Sequence, residues 1–259
     1  MVSGRFPRPL AVLIALAVSI GAALAAHDEP HITRQDWSFN GVLGKFDRAQ
    51  LQRGYHVYSL VCANCHSMRL LSYRNLGEKG GPQFSKEAVE ILASKAQITD
   101  GPNEKGQMFQ RPGRPSDRFR MPYANDEAAR ASNSGALPPD LSVMAKARPQ
   151  GPDYIYALLT GYKPAPADMK MTPGMHYNVA FPGHQTAMPP PLADNLVPYT
   201  DGTEKTVDNY AKDVAAYLMW AAEPKLEERH NLGARIMIFL LVFAVIMFLA
   251  KRAVWSRLH

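Results

Sequence analysis

Residues 47–68, "DRAQLQRGYHVYSLVCANCHSM", contain both cysteines of this 259-residue chain, Cys62 and Cys65, with His66 directly after the second. Asp47 is a favourable N-cap residue, and the apolar side chains that follow it recur at helical spacing. The apolar positions are Leu51, Tyr55, Tyr58 and Val61. The pattern predicts a helix that begins after Asp47 and carries the cysteines near its C-terminal end.

The cysteine pair has four possible functions: a disulfide, a redox pair, a zinc site or haem attachment. A disulfide between Cys62 and Cys65 is chemically possible, but it closes a very small loop and removes little chain entropy. A thioredoxin-like redox pair needs an α/β context, and a zinc site needs further ligands at compact spacing. The pattern C-x-x-C-H is instead the signature of covalent haem attachment. We therefore predict one covalently bound haem c, with His66 as an iron ligand.

A haem that carries electrons commonly has methionine as its second axial ligand, because the soft thioether raises the reduction potential. Met188 lies in "FPGHQTAMPPPL", residues 181–192, where a glycine permits a close turn and three prolines stiffen the backbone. Met121 lies in a weaker version of the same context. His176 and His184 remain possible as alternative histidine ligands. Arg148 and Tyr154 are candidate partners of the haem propionates on sequence order alone.

The N-terminus, residues 1–25, predicts an export signal. Arg5 and Arg8 precede an apolar stretch, and Ala23 to Ala25 form an A-x-A cleavage site. We expect the mature chain to begin near Ala26, with an uncleaved membrane anchor as the alternative. Both interpretations export the domain that follows.

The C-terminus contains the uncharged run "IMIFLLVFAVIMFLA", residues 236–250. Fifteen helical residues span about 22 Å, and apolar flanking residues extend the helix toward the roughly 30 Å of a bilayer core. A buried core helix is the alternative, but the run has no polar face. We predict a membrane anchor and short cytoplasmic tail at 229–259. The positive charges after the run favour a cytoplasmic C-terminus: Lys251, Arg252 and Arg257.

The middle of the chain, 26–228, is predicted to be a single haem c domain. The formal charge is +6, but six of the 29 cations lie at the two chain ends, leaving 23 cations against 23 acidic residues. A neutral domain of this kind gives no reason to expect nucleic-acid binding. Helical patterns occur at 86–98, within "GPDYIYALLTGY" at 151–162 with Gly161 as a stop, and from Thr206 to Pro224, separated by long irregular segments. The fold class is therefore mainly α with long loop insertions.

Several longer stretches identify a family. They include "YRNL" at 73–76, "DGPNEKGQMFQRPGRPSDRF" at 100–119, "PYANDEAARASNSGALPPDLS" at 122–142 and "ARPQGPDYIYALLTGY" at 147–162. Together with the C-x-x-C-H stretch, "FPGHQTAMPPPL" and a charge-bounded apolar span, they resemble the cytochrome c1 family, the haem c subunits of ubiquinol–cytochrome c reductase. The resemblance implies a cytochrome c-like helical haem domain with long insertions and one C-terminal transmembrane helix.

The resemblance also implies roles for individual residues. Cys62 and Cys65 correspond to the thioether sites, His66 to the proximal iron ligand and Met188 to the distal ligand. Further positions correspond to the haem pocket, with the arginine near a propionate: Asn133, Pro139, Arg148 and Tyr154.

The implied function is electron transfer within a respiratory or photosynthetic bc1 complex in a bacterial inner membrane, with the haem domain in the periplasm. The haem would receive an electron from the Rieske iron–sulfur protein and pass it to cytochrome c, while cytochrome b holds the quinol chemistry. The chain would not be an enzyme on its own. The main alternative is a separate membrane-anchored cytochrome c that donates electrons to a terminal oxidase. A haem enzyme with an open iron and a purely structural anchor are further alternatives.

One departure from the family concerns docking. Members often carry acidic runs on the face that receives cytochrome c, whereas "KEAVEILASKAQITD" at 86–100 is balanced by lysines. We therefore do not expect strong electrostatic steering.

Overall fold

The computed structural model describes Pro30 and residues 32–256, so the predicted export signal lies outside the described residues. The described part is mainly α-helical, as expected. Its helices are α1 Arg48–Leu60, α2 Lys86–Ser94, α3 Asp126–Ser132, α4 Met144–Ala147, α5 Pro152–Thr160, α6 Val207–Ala222 and α7 Leu226–Trp255. Short 3-10 turns occupy Cys62–Asn64, Tyr73–Gly77 and Pro182–His184.

Four short strands form two antiparallel pairs. Strand β1, Gln97–Asp100, pairs with β2, Phe109–Pro112. Strand β3, His176–Tyr177, pairs with β4, Gln185–Thr186. Both pairs lie within the long connections between helices, so they shape the insertions and do not build a sheet-based core.

Local capping signals predict two helix starts correctly. The Asp47 side chain accepts a hydrogen bond from the Gln50 N–H at the start of α1, and Thr206 accepts one from Asn209 at the start of α6. Both bonds satisfy amide groups that a helix leaves free in its first turn.

The prediction that a helix continues to residue 98 is wrong. Helix α2 ends at Ser94, and Ile98 lies opposite Arg111 in the β1–β2 ladder. The backbone of β1 therefore pairs with residues nine to fifteen positions ahead, which a local helical pattern does not reveal.

The core forms where α1 crosses α6. A Cβ atom on Gly54 of α1 would lie 2.1 Å from the Asp213 carbonyl oxygen and 2.6 Å from the Tyr217 Cβ, so only glycine allows this approach. Aromatic rings fill the space beside the crossing, with the Tyr58 and Tyr217 centroids 5.7 Å apart. The crossing fixes the end of α1 that leads into the cysteines.

A buried ion pair locks the same two helices. The Asp213 side chain on α6 is almost fully buried, and its Oδ2 accepts hydrogen bonds from Arg53 Nε at 2.8 Å and the Tyr199 hydroxyl at 2.7 Å. Arg53 also reaches Asp201 at 2.8 Å. The negative charge of the buried Asp213 carboxylate is therefore compensated by the Arg53 cation and by hydrogen bonds.

Helix α7 is long and apolar enough to span a membrane, as expected from the sequence. Its 30 residues extend over roughly 45 Å, and the apolar stretch is not buried against the rest of the described protein. The helix starts at Leu226, three residues before the predicted anchor segment. Its first turn packs against the preceding helices, because Leu226 is buried in the core and Glu227 pairs with Arg48 at 2.7 Å.

Candidate functional site

The two cysteines lie on a tight turn immediately after α1. Helix α1 ends at Leu60, and the 3-10 turn Cys62–Asn64 follows it. The N–H groups of Cys65 and His66 both donate to the Cys62 carbonyl, at 3.1 and 2.8 Å. Both thiols are free, and burial raises the pKa of Cys62 to about 12. The turn thus holds two thiols and the histidine on one short, hydrogen-bonded piece of backbone.

The orientation of the His66 ring is set by a backbone contact. Its Nδ1 lies 2.8 Å from the Pro139 carbonyl oxygen. A carbonyl oxygen only accepts hydrogen bonds, so Nδ1 carries the proton and Nε2 keeps its lone pair. Burial lowers the pKa of His66, opposed by the Pro139 carbonyl and the Asp140 carboxylate, so the ring stays neutral at neutral pH. This is the arrangement that a metal-ligating histidine requires.

Asp140, which sequence reasoning missed, ties the segment after Pro139 to the chain that follows His66. Its carboxylate accepts hydrogen bonds from Ser67 Oγ at 2.8 Å and from the Arg69 N–H at 2.9 Å. Burial works against the charged form of Asp140, but hydrogen bonds from Ser142, Arg69 and Ser67 prevail and lower its pKa. An aspartate directly after two prolines, with a serine two residues later, is the signal that could have indicated this role.

Two backbone contacts hold Met188. The Tyr162 hydroxyl donates to the Met188 carbonyl at 3.0 Å, and the Met188 N–H donates to Thr186 Oγ1 at 3.2 Å. Gly183, which the sequence suggested for a close turn, has a φ of +73°, a conformation that favours glycine. Met188 is half-buried. Its side chain therefore lies at the protein surface, on a loop whose backbone is restrained by hydrogen bonds.

Asn178 organises that loop and has no sequence signal of its own. It is fully buried, and its Nδ2 donates to the Leu158 carbonyl in α5 at 2.7 Å. Its Oδ1 accepts from the Ala180 N–H at 2.9 Å, and its own N–H donates to the His184 carbonyl at 3.0 Å. His184 returns a hydrogen bond from Nδ1 to the Asn178 carbonyl at 3.2 Å. Hydrogen bonds between Asn178 and His184 therefore close the loop 178–184, and the Asn178 side chain binds it to α5.

The pair Arg148 and Tyr154 lies beside this loop. Arg148 follows the last residue of α4 and is exposed, whereas Tyr154 lies in the first turn of α5 and is buried. Burial raises the pKa of Tyr154, and the Arg148 cation opposes that rise, so the guanidinium lies near the phenol. Burial also raises the pKa of Tyr162, with the Tyr154 phenol adding to the effect. The Tyr162 hydroxyl in turn contacts the Met188 backbone.

Asn133 and Met121 lie on a different side of the cysteine turn. Asn133 Nδ2 donates to the Tyr123 hydroxyl at 3.0 Å and to the Ala129 carbonyl at 2.7 Å. Tyr123 and Met121 line a cavity of about 250 Å³ together with Cys65 and Pro139. Met121, the weaker ligand candidate, is therefore close to Cys65, while Asn133 braces the cavity wall.

The predicted site residues fall into three groups. His66 contacts Pro139, Met188 contacts Tyr162, and Asn133 contacts Tyr123 in the wall of the cavity beside Cys65. Within residues 32–256, no hydrogen bond joins the His66 group to the Met188 group. No cluster of three His, Cys, Asp or Glu side chains in this range converges to hold a bare metal ion. The donor set fits iron that arrives within a porphyrin and not an isolated cation.

Comparisons with known proteins agree on one family. The family model described as the Cytochrome C1 family matches residues 37–258. Cytochrome c1 of Rhodospirillum rubrum is 44% identical over 251 residues, which cover 91% of each chain. Mitochondrial cytochrome c1 1, a heme protein of Arabidopsis thaliana, is 48% identical over 210 residues, which cover 81% of this chain and 67% of that one.

A further relative is longer than this chain. The cytochrome b/c1 protein of Bradyrhizobium diazoefficiens is 47% identical over 242 residues. The match covers 86% of this chain but only 35% of that relative, so the chain spans about a third of its length.

Proposed function

The chain belongs to the cytochrome c1 family, and from that premise we propose that it is the haem-bearing electron-transfer subunit of a cytochrome bc1 complex. In that role the chain would hold the haem so that an electron can pass from the Rieske iron–sulfur protein to cytochrome c. The observation that carries this proposal is the contact between His66 Nδ1 and the Pro139 carbonyl, which leaves Nε2 free to bind iron. Among the functions considered, this one uses the cysteine turn, the prepared histidine and the anchor together.

Cys62 and Cys65 would hold the porphyrin through two thioether bonds, with His66 as one axial ligand. The haem, when bound, supplies the one-electron redox chemistry. The chain fixes its position, because the turn that carries both thiols is closed by hydrogen bonds to the Cys62 carbonyl. The Pro139 carbonyl orients the imidazole, and Asp140 holds the segment that supplies this carbonyl.

Met188 is the proposed second ligand. Hydrogen bonds from Tyr162 to its carbonyl and from its N–H to Thr186 restrict the backbone on both sides of the side chain. A restrained ligand loses less conformational entropy when it binds a metal than a mobile ligand does. Met121 has no such backbone restraint and is 42% exposed, which favours Met188.

Arg148, Tyr154 and Asn133 are proposed to border the haem. Arg148 is exposed at the end of α4, so its guanidinium is available to a propionate carboxylate, whereas Tyr154 is buried and would border the haem from the protein side. A guanidinium is the side chain best suited to bind a carboxylate through two hydrogen bonds. Asn133 would act through the Tyr123 contact, as part of the pocket wall.

Helix α7 is proposed to anchor the chain in a bacterial inner membrane by a single pass, with the haem domain in the periplasm. Lys251 and Arg252 at the far end of α7 favour the cytoplasmic side. The apolar surface of α7 is open along its length and suits both lipid and the helices of cytochrome b. The name of the Bradyrhizobium relative, cytochrome b/c1, supports this partner. Quinol oxidation belongs to cytochrome b, so this chain alone breaks no substrate bond.

The proposal is tested on the purified complex. The mature polypeptide should exceed its peptide mass by one haem, and Cys62→Ala should lose one of the two covalent bonds. Quinol should reduce this haem only when the iron–sulfur protein is present, whereas a chemical reductant should reduce it in either case. A bare peptide mass, or quinol reduction without the iron–sulfur protein, would contradict the assignment.

A further inference from the structure

Two large apolar side chains, Val42 and Leu43, stand exposed at the tip of a tight loop near the start of the domain. They are 74% and 69% exposed, whereas Phe39 and Phe46 on either side are buried. The loop is closed below the tip by a hydrogen bond of 3.0 Å from the Lys45 N–H to the Ser38 carbonyl. We call Val42 and Leu43 the apolar tip.

The loop is fastened to the first turns of α7. The Phe46 N–H donates to Glu227 at 2.9 Å, and His230 Nδ1 lies 3.2 Å from the Gly44 carbonyl. Gly44 is attached three residues further along α7 than Phe46. Its attachment is therefore about 4.5 Å closer to the apolar part of that helix. The apolar tip directly precedes Gly44 in the chain, so it lies next to the attachment that is closest to the apolar part of α7.

We propose that the apolar tip inserts into the lipid headgroup layer beside α7 and forms a second contact of the haem domain with the bilayer. This inference rests on the proposed membrane span of α7. His230 is two residues, about 3 Å, from Leu232, where the apolar residues that flank the uncharged run begin. The polar layer on each side of a bilayer core is roughly 5 to 8 Å thick, so the tip lies at its level.

The chemistry of the loop fits lipid better than water. Exposed aliphatic side chains at the level of the headgroups remove apolar surface from water when they enter the layer. Lys45 is exposed next to the tip and can approach lipid phosphates. Because the tip and α7 contact the membrane at two separate points, the haem domain cannot swing freely about the start of α7.

Photo-crosslinking tests the contact in the intact complex. The photoreactive amino acid p-benzoylphenylalanine replaces Leu43, the native membranes are irradiated, and the tryptic peptide is examined for an added phospholipid mass. The matched control carries the same amino acid at Leu196, which is 48% exposed. Leu196 lies next to Val197, whose backbone binds Tyr210 near the start of α6, and this end is separated from the start of α7 by about 22 Å of helix. Unchanged haem absorbance shows that both variants fold.

The expected result is phospholipid adducts at position 43 and none at position 196. Crosslinks from position 43 to another protein subunit, or equal lipid labelling at both positions, would overturn the inference. Alkaline carbonate extraction separates this result from a failure of the anchor. A chain released by carbonate refutes the membrane span itself, whereas a retained chain without lipid adducts at position 43 refutes only the tip contact.

Discussion

At the scale of single residues, the candidate site depends on backbone acceptors more than on side-chain partners. Pro139 has no N–H and offers only its carbonyl, and that carbonyl fixes the protonated nitrogen of His66. Substituting the Pro139 side chain would leave this carbonyl in the chain, so the contact depends on where the segment lies. Asp140 supplies that placement through Ser67 and Arg69.

Met188→Leu should lower the midpoint potential of the haem while the haem stays attached. Leucine removes the thioether but keeps a side chain of similar size, so the loop should retain its shape. Axial ligands set haem potentials over about 0.8 V, and we expect a fall on the order of 100 mV. Redox titration of the purified complex measures this shift. Met121→Leu is the control, and a larger shift in that variant would assign the ligand to Met121.

Asn178→Ala should disturb the Met188 loop without touching the haem. The substitution leaves the Leu158 carbonyl and the Ala180 N–H without their partner, a loss of roughly 2 to 4 kcal/mol of stability. A freer loop should also weaken axial ligation by Met188, so the visible spectrum and potential should shift with stability. Asn209→Ala is the control, because its side chain binds only the Glu204 carbonyl at 3.0 Å. Loss of stability with an unchanged spectrum would show a purely structural role.

At the scale of helices and strands, the sequence predicts features that local chemistry determines. Asp47 and Thr206 cap helices with bonds to residues three positions ahead, so their short-range patterns suffice. The end of α2 depends on pairing between β1 and β2, which no local pattern contains. The Met188 loop is similar, because Tyr162 acts from 26 residues away and Asn178 binds α5 across 20 residues. The proposed ligands follow from sequence motifs, whereas the residues that position them do not.

Gly54→Ala should separate α1 from α6. The added methyl group would lie 2.1 Å from the Asp213 carbonyl oxygen, which belongs to the backbone and cannot rotate away. Overpacking of this kind costs about 1 to 3 kcal/mol, and the shift of α1 would also strain the bonds between Arg53 and Asp213. Thermal unfolding of the haem domain within the complex measures the loss.

Gly233→Ala in α7 is the matched control for this substitution. Nothing lies within 4 Å of a Cβ atom at Gly233, so the same chemical change meets open space. The thermal midpoint should change little in that variant. Because alanine favours a helix more than glycine does, a loss in Gly233→Ala equal to that in Gly54→Ala would show that the close approach of α1 and α6 is not the cause.

At the scale of the whole molecule, the haem domain and the anchor overlap. The sequence analysis places the boundary between 228 and 229, ahead of the apolar run that begins at Ile236. The packing extends the domain into α7, since Leu226 is 3% exposed and Glu227 binds both Phe46 and Arg48. A rigid junction of this kind transmits the direction of α7 to the cysteine turn, because α1 begins at Arg48 and ends beside Cys62.

Two truncated chains should separate these contributions. A chain that ends at Asn231 keeps the first turn of α7 and should give a water-soluble haem domain with cooperative unfolding. A chain that ends at Pro224 loses the buried Leu226 and the hydrogen bonds of Glu227, and should be less stable by about 3 to 5 kcal/mol. Urea unfolding followed by haem absorbance compares them directly. Since both chains lack the membrane span, equal midpoints would place the boundary of the folded domain before Leu226.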